Sequence, residues 1–213
     1  MTSDIKIGIS LDKEAKALRY GSFLSRFFDF IIMGCTDISQ FIRSVGDKQG
    51  YGKLFARLSV PNEYIYNGVR KKYDMAFSLV YDFVDAFVIT DFDDFNEDVD
   101  PILNLRMYNE EYKPVYLEVK SSLLYEELDD IITYSLMSNI DGLFIQNQRL
   151  LKYAIEKSNG ILSFISPLPE NPQTVTNQDS ELFRYFIPAC SSFPPFSIFK
   201  LWKIRRLLKK STK

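Results

Sequence analysis

Val115-Tyr116-Leu117-Glu118-Val119-Lys120 and Gly142-Leu143-Phe144-Ile145-Gln146-Asn147 are two short apolar runs that each end on a polar residue, with a helix-spaced segment, Leu124 to Met137, between them. Strand, helix, strand in that order demands a crossover and gives two parallel neighbours. Their last residues, Lys120 and Asn147, then fall on one rim of the sheet, the rim at which α/β proteins hold ligands.

Working outward, the same alternation recurs along the whole chain. Strands are expected at Ile5–Ile9, Phe28–Met33, Lys53–Val60 and Ala86–Thr90 before this stretch, at Pro114–Val119 and Gly142–Asn147 within it, and at Ile161–Ile165 and Leu182–Ile187 after it. Helical spacing separates them at Glu14–Arg26, Asp37–Val45, Val69–Tyr81, Ile102–Tyr112, Leu124–Met137 and Leu150–Lys157. Asn159-Gly160 reads as a helix stop, and Pro194-Pro195 as the opening of a last helix through Leu208. Eight strands alternating with helices predict an α/β fold, a (β/α)8 TIM barrel with short loops filling residues 1–213 as one domain; an open doubly wound sheet is the alternative.

Composition narrows the chemistry. An apolar fraction of 46% with 15% aromatic residues suits a packed globule. The chain contains no histidine, which removes imidazole metal sites, Ser-His-Asp and Cys-His nucleophile systems, and any general base whose ordinary pKa lies near neutrality. Cys35 and Cys190 lack metal-like spacing and read as reduced thiols, so no metal site is expected. No run reaches the ~18 apolar residues of a membrane span, and Met1-Thr2-Ser3-Asp4-Ile5-Lys6 has no secretory stretch, so the expectation is a cytoplasmic protein without a membrane span. Charge is unevenly spread: Asp82 to Asp100 carries eight acids and no base, Lys200 to Lys213 seven bases and no acid, within a net charge of -2.

Four segments in order carry a family resemblance: Ile7-Gly8-Ile9-Ser10-Leu11-Asp12-Lys13-Glu14-Ala15, Phe28-Asp29-Phe30-Ile31-Ile32-Met33-Gly34-Cys35-Thr36, Lys113-Pro114-Val115 to Lys120, and Asn139-Ile140-Asp141-Gly142 to Asn147. The chain resembles dihydroorotate dehydrogenase, an FMN-containing barrel of pyrimidine biosynthesis, most specifically across Pro114 to Asn147. The resemblance implies that Lys120 lies against the flavin and offsets the negative charge of its reduced ring. It implies further that Gly34 allows close approach of backbone to the flavin, that Asn147 hydrogen-bonds the pyrimidine ligand, and that Lys13 stands near the ligand end. At the family's catalytic serine or cysteine, the group that takes the C5 proton while hydride leaves C6, this chain has Asp93. The family's flanking asparagines are absent, and its glycine-rich phosphate loop is replaced by Ser166-Pro167-Leu168-Pro169-Glu170-Asn171-Pro172, whose prolines lack N–H donors.

The resemblance thus implies either an FMN oxidoreductase with a weakened cofactor grip or a catalytically silent barrel. In both, a small molecule is expected at the C-terminal ends of the strands, with room for a homodimer and no nucleic-acid partner. Val88-Ile89-Thr90-Asp91-Phe92-Asp93 separately resembles the Asp-x-Asp strand of haloacid-dehalogenase-type phosphatases, in which Mg²⁺ sits between the two carboxylates; that chemistry needs an open sheet. In the tail, Phe196, Phe199, Trp202 or Lys203, and Leu207 recur at helical spacing. They are expected to form the inward side of a barrel helix, with anionic lipid or nucleic acid as the other destinations of the basic residues.

Overall fold

The computed structural model describes residues 6–11, 24, 26–35, 38, 53–60, 64–66, 69–71, 80–107, 109, 111–168, 183–188, 198–204 and 206. Its strands are β1 (Lys6–Ser10), β2 (Phe30–Gly34), β3 (Lys53–Ser59), β4 (Tyr64–Tyr66), β5 (Val69–Lys71), β6 (Ala86–Thr90), β7 (Val115–Val119), β8 (Gly142–Ile145), β9 (Ser163–Pro167) and β10 (Phe183–Pro188). Eight of these close into a barrel in the order β1-β10-β9-β8-β7-β6-β3-β2, every neighbouring pair parallel. The pair that closes the ring runs from Lys6 against Arg184 to Ser10 against Pro188. Closure excludes the open sheet, and with it the frame that the phosphatase reading requires.

The strands form where β-branched and aromatic residues run together, as in Phe30-Ile31-Ile32-Met33 and Ala86-Phe87-Val88-Ile89. Both faces of each run are buried, because alternate side chains enter the barrel or meet the outer layer. Phe30, Ile32, Phe55, Ala86, Val88, Tyr116, Phe144, Ile165 and Phe186 make the inner core, and the residues between them in sequence join the larger core outside the ring. Two aromatic pairs fill the centre: Phe30 on Phe55 at 4.8 Å between ring centroids, and Phe144 on Phe186 at 4.9 Å. Gly8 makes room for the first pair, since a Cβ there would stand 2.3 Å from the Phe30 ring.

Helices α1 (Asp100–Met107), α2 (Tyr125–Met137) and α3 (Gln148–Ser158) separate β6, β7, β8 and β9. The inward face of α2, Leu128, Ile131, Ile132 and Ser135, follows the three-and-four spacing of a helix laid on a sheet. The Glu127 carboxylate accepts the Leu124 N–H at 2.8 Å and holds its first turn. The Asn159-Gly160 stop holds: both residues have left-handed backbone, with φ 50° and 72°.

Two expected elements differ. Val69–Lys71 is not the start of a helix but a strand, paired antiparallel with Tyr64–Tyr66 outside the barrel. The acidic segment is not a plain loop either. A π-helical turn at Phe95–Val99 leads into α1, and Asp94 accepts the Asn96 and Glu97 N–H groups at 2.7 and 3.1 Å, satisfying donors that have no partner within the turn. Among the described residues no helix is long and apolar enough to cross a membrane.

Candidate functional site

Parallel strands put all their C-terminal ends on one rim, and the side chains of strand ends and following loops decide its chemistry. Lys120 leaves β7 there, and its Nζ lies 3.0 Å from Asp93 Oδ1, on the loop after β6. Half of the Lys120 side chain and most of Asp93 are exposed to solvent. Asn147 leaves β8 on the same rim. Its Oδ1 accepts the Arg149 N–H at 2.9 Å as the cap of α3, and its Nδ2 donates to the Ser121 carbonyl at 3.2 Å, tying the ends of β7 and β8 together. Gly34 ends β2, half-buried and in register with Arg57 of β3. Lys13 lies outside the described residues.

Three side chains that the sequence reading passed over fill the mouth beneath this rim. Arg57 and Glu118 lie two residues beyond the inner-core Phe55 and Tyr116, so strand parity turns them inward. Arg57 Nε is 3.8 Å from Glu118 Oε2, and its guanidinium lies 5.1 Å from the centre of the Phe144 ring. Gln146 Nε2 donates to Glu118 Oε1 at 2.8 Å. The signal was present in the sequence as a charge at inward parity inside an apolar run, a placement tolerated only where the charge has partners.

Beside the mouth, between the loop after β6 and the start of α2, lies an open groove of about 390 Å³. Phe92, Phe95, Leu123 and Ile131 supply its apolar wall; Asp93, Glu118, Glu127 and Asp130 supply four carboxylates, with Lys120 the single cation among the lining residues. The rings of Phe92 and Phe95 stand 5.6 Å apart, and Phe95 stacks on Tyr134 at 4.1 Å. Asp91 takes no part in this groove. It turns out of β6 with φ 61° and accepts hydrogen bonds from Ser59 Oγ at 2.6 Å and Thr90 Oγ1 at 3.0 Å. Asp91 and Asp93 therefore serve different partners, and among the described residues no group of three or more acidic or cysteine side chains converges as a metal site.

The chemistry of this wall tests the flavin that the resemblance implies. An isoalloxazine gains negative charge on reduction and a phosphate brings more, yet the groove holds four carboxylates to one ammonium, and Asp93 already neutralises that ammonium. This groove does not fit FMN. Residues 169–182, which include most of the replaced phosphate loop, lie outside the described residues. Next to Gly34, Cys35 is a free buried thiol whose pKa burial pushes up to about 12, so it is not a ready nucleophile at neutral pH. No protein-family model matches the chain, and no curated protein matches it significantly.

Proposed function

We propose that the chain is a (β/α)8 TIM barrel of dihydroorotate dehydrogenase descent that binds a small organic cation in the groove beside the C-terminal mouth without redox chemistry of its own. The groove carries this reading. Its volume is in the range of small-molecule sites, its wall offers two phenyl faces, and its carboxylates outnumber its cations, the combination that stabilises an ammonium on an apolar body. The free thiol of Cys35 accords with a cytoplasmic setting.

A flavoprotein oxidoreductase is the second reading, favoured by the position of Lys120 at the end of β7. One substitution gives the two readings opposite signs. Removing the Lys120 ammonium frees Asp93, so Lys120→Ala tightens binding of 2-phenylethylammonium by about threefold to tenfold, the effect of deleting one nearby like charge. In the flavin reading the same substitution weakens FMN binding. Thermal shift and calorimetry with each compound decide: 2-phenylethylammonium raising Tm, with a loss of affinity in Asp130→Asn, is the expected result. A yellow protein that is stabilised by FMN and indifferent to the amine would replace the first reading by the second.

A further inference from the structure

We propose that the outward face of the C-terminal helix is a peripheral anchor that docks on a bilayer containing anionic lipid. In helical residues 198–204 and 206, the side turned to the barrel is Leu201 and Ile204, 3% and 5% exposed, with Ile198 packed on the same core. The expectation from sequence was the opposite phase, with Phe199 and Trp202 inward. They point outward instead, 70% and 63% exposed. At about 100° per residue, Phe199, Trp202, Lys203 and Arg206 fall within one quadrant or so of the helix surface, opposite the buried side. Lys200 is exposed beside them, and the Arg206 guanidinium lies 5.5 Å from the Trp202 ring.

Bulky rings that stay in water among cations are the chemistry of an interfacial helix, in which aromatics enter the headgroup boundary and basic residues meet lipid phosphates. The complementarity is local. Residues 200–213 hold seven bases and no acid, while the whole chain still has net charge -2, so the remaining residues are strongly acid-rich. A plane of anionic headgroups is complementary to this cationic helix face. A nucleic acid long enough to bind would also run over the acidic remainder, and a second copy of this face would bring like charges together.

Trp202 is the only tryptophan in the chain, so intrinsic fluorescence of the full-length protein reports on the proposed contact directly. Vesicles of phosphatidylcholine with phosphatidylglycerol are expected to shift its emission to the blue and to carry the protein upward in flotation. Pure phosphatidylcholine should do neither, and raising salt to about 1 M, where the Debye length falls to about 3 Å, should release the protein. Phe199→Ser retains the reporter and weakens partition. Lys200→Gln and Lys203→Gln each weaken it about fivefold, the equivalent of one basic residue at an anionic surface. These side chains are exposed, so the variants should melt with the parent, and any that does not is replaced by Arg206→Gln. Emission unmoved by anionic vesicles, equal binding to neutral ones, or a response to duplex DNA in place of vesicles overturns the proposal.

Discussion

At Gly142 a single methyl group separates a closed strand pair from an obstructed one. A Cβ there would stand 2.0 Å from the Ser163 carbonyl oxygen and 2.6 Å from its hydroxyl, and neither can withdraw without moving β9, because Gly142 and Ser163 are partners in the ladder. At Gly8 the obstacle is the buried Phe30 ring, which is softer than backbone but has its own partner in Phe55. Overpacking of a close-packed core costs about 1–3 kcal/mol. Gly8→Ala should fall within that range and Gly142→Ala at its top or above, read as midpoint shifts in urea. A Gly142→Ala variant as stable as the parent would show that the β8–β9 register is not the one described. Both glycines stood in segments singled out from the sequence, but what a glycine makes room for is set by a neighbouring strand, and that neighbour is known only after the ring closes.

Among the elements, β2, β6 and β8 begin alike. Phe28-Asp29-Phe30, Val84-Asp85-Ala86 and Ile140-Asp141-Gly142 each place an aspartate just before the strand, where it brackets the first residues of the preceding barrel strand. Its N–H donates to the carbonyl of Ile7, Leu54 or Val115, and its carboxylate accepts the N–H of the same residue at 2.8, 2.9 and 2.8 Å. These clips hold the end of the barrel remote from the site and set the register by which Lys120, Asn147 and Asp93 reach one rim. The Asp141 clip carries most, since it also binds Arg106 at 3.0 Å, a guanidinium only 7% exposed, and accepts the Tyr112 hydroxyl at 2.6 Å. Asp85→Ala should cost about 1–3 kcal/mol for a donor left unsatisfied, and Asp141→Ala about 3–5 kcal/mol because it strands a buried cation. Equal losses in urea unfolding would mean that Arg106 finds another partner. The eight strands were legible because both-sided burial writes itself as short apolar runs, and their ends moved by only a residue or two. The hairpin is masked in the sequence, although Asn67-Gly68 lies between its strands and is a strong turn pair, because the wider segment also satisfies helical spacing. The phase of the last helix is hidden for a related reason: Phe199 with Trp202 and Ile198 with Leu201 are equally periodic, and hydrophobicity alone favours the larger rings.

For the molecule as a whole, the groups among the described residues that folding perturbs most are weak acids that burial keeps protonated. Burial holds the Cys35 thiol up to about 12. Burial, and then the hydrogen bond to Asp141, lifts Tyr112 to about 12. Tyr134, buried and bonded to Asp100, and Tyr116, buried within the barrel, are raised as well, Arg184 opposing the rise at Tyr116. Each has a higher pKa folded than unfolded, so the unfolded chain releases these protons first as pH climbs. The folded state then binds more protons than the unfolded one, and stability must fall. The loss begins near the unfolded values of 9.0 for cysteine and 10.0 for tyrosine and continues to about 12. Below that window the absence of histidine leaves no side chain whose ordinary pKa lies between about 5 and about 8. The urea midpoint should therefore be flat from about pH 6 to about pH 8 and decline above about pH 9. Cys35→Ala should make that decline shallower even if the cavity it leaves lowers the plateau, because the slope counts protons and the plateau counts contacts. A midpoint that slides between pH 6 and 8 would mean that another group titrates there, and an alkaline slope identical in Cys35→Ala would show that the protonated thiol at the end of β2 is not what folding protects.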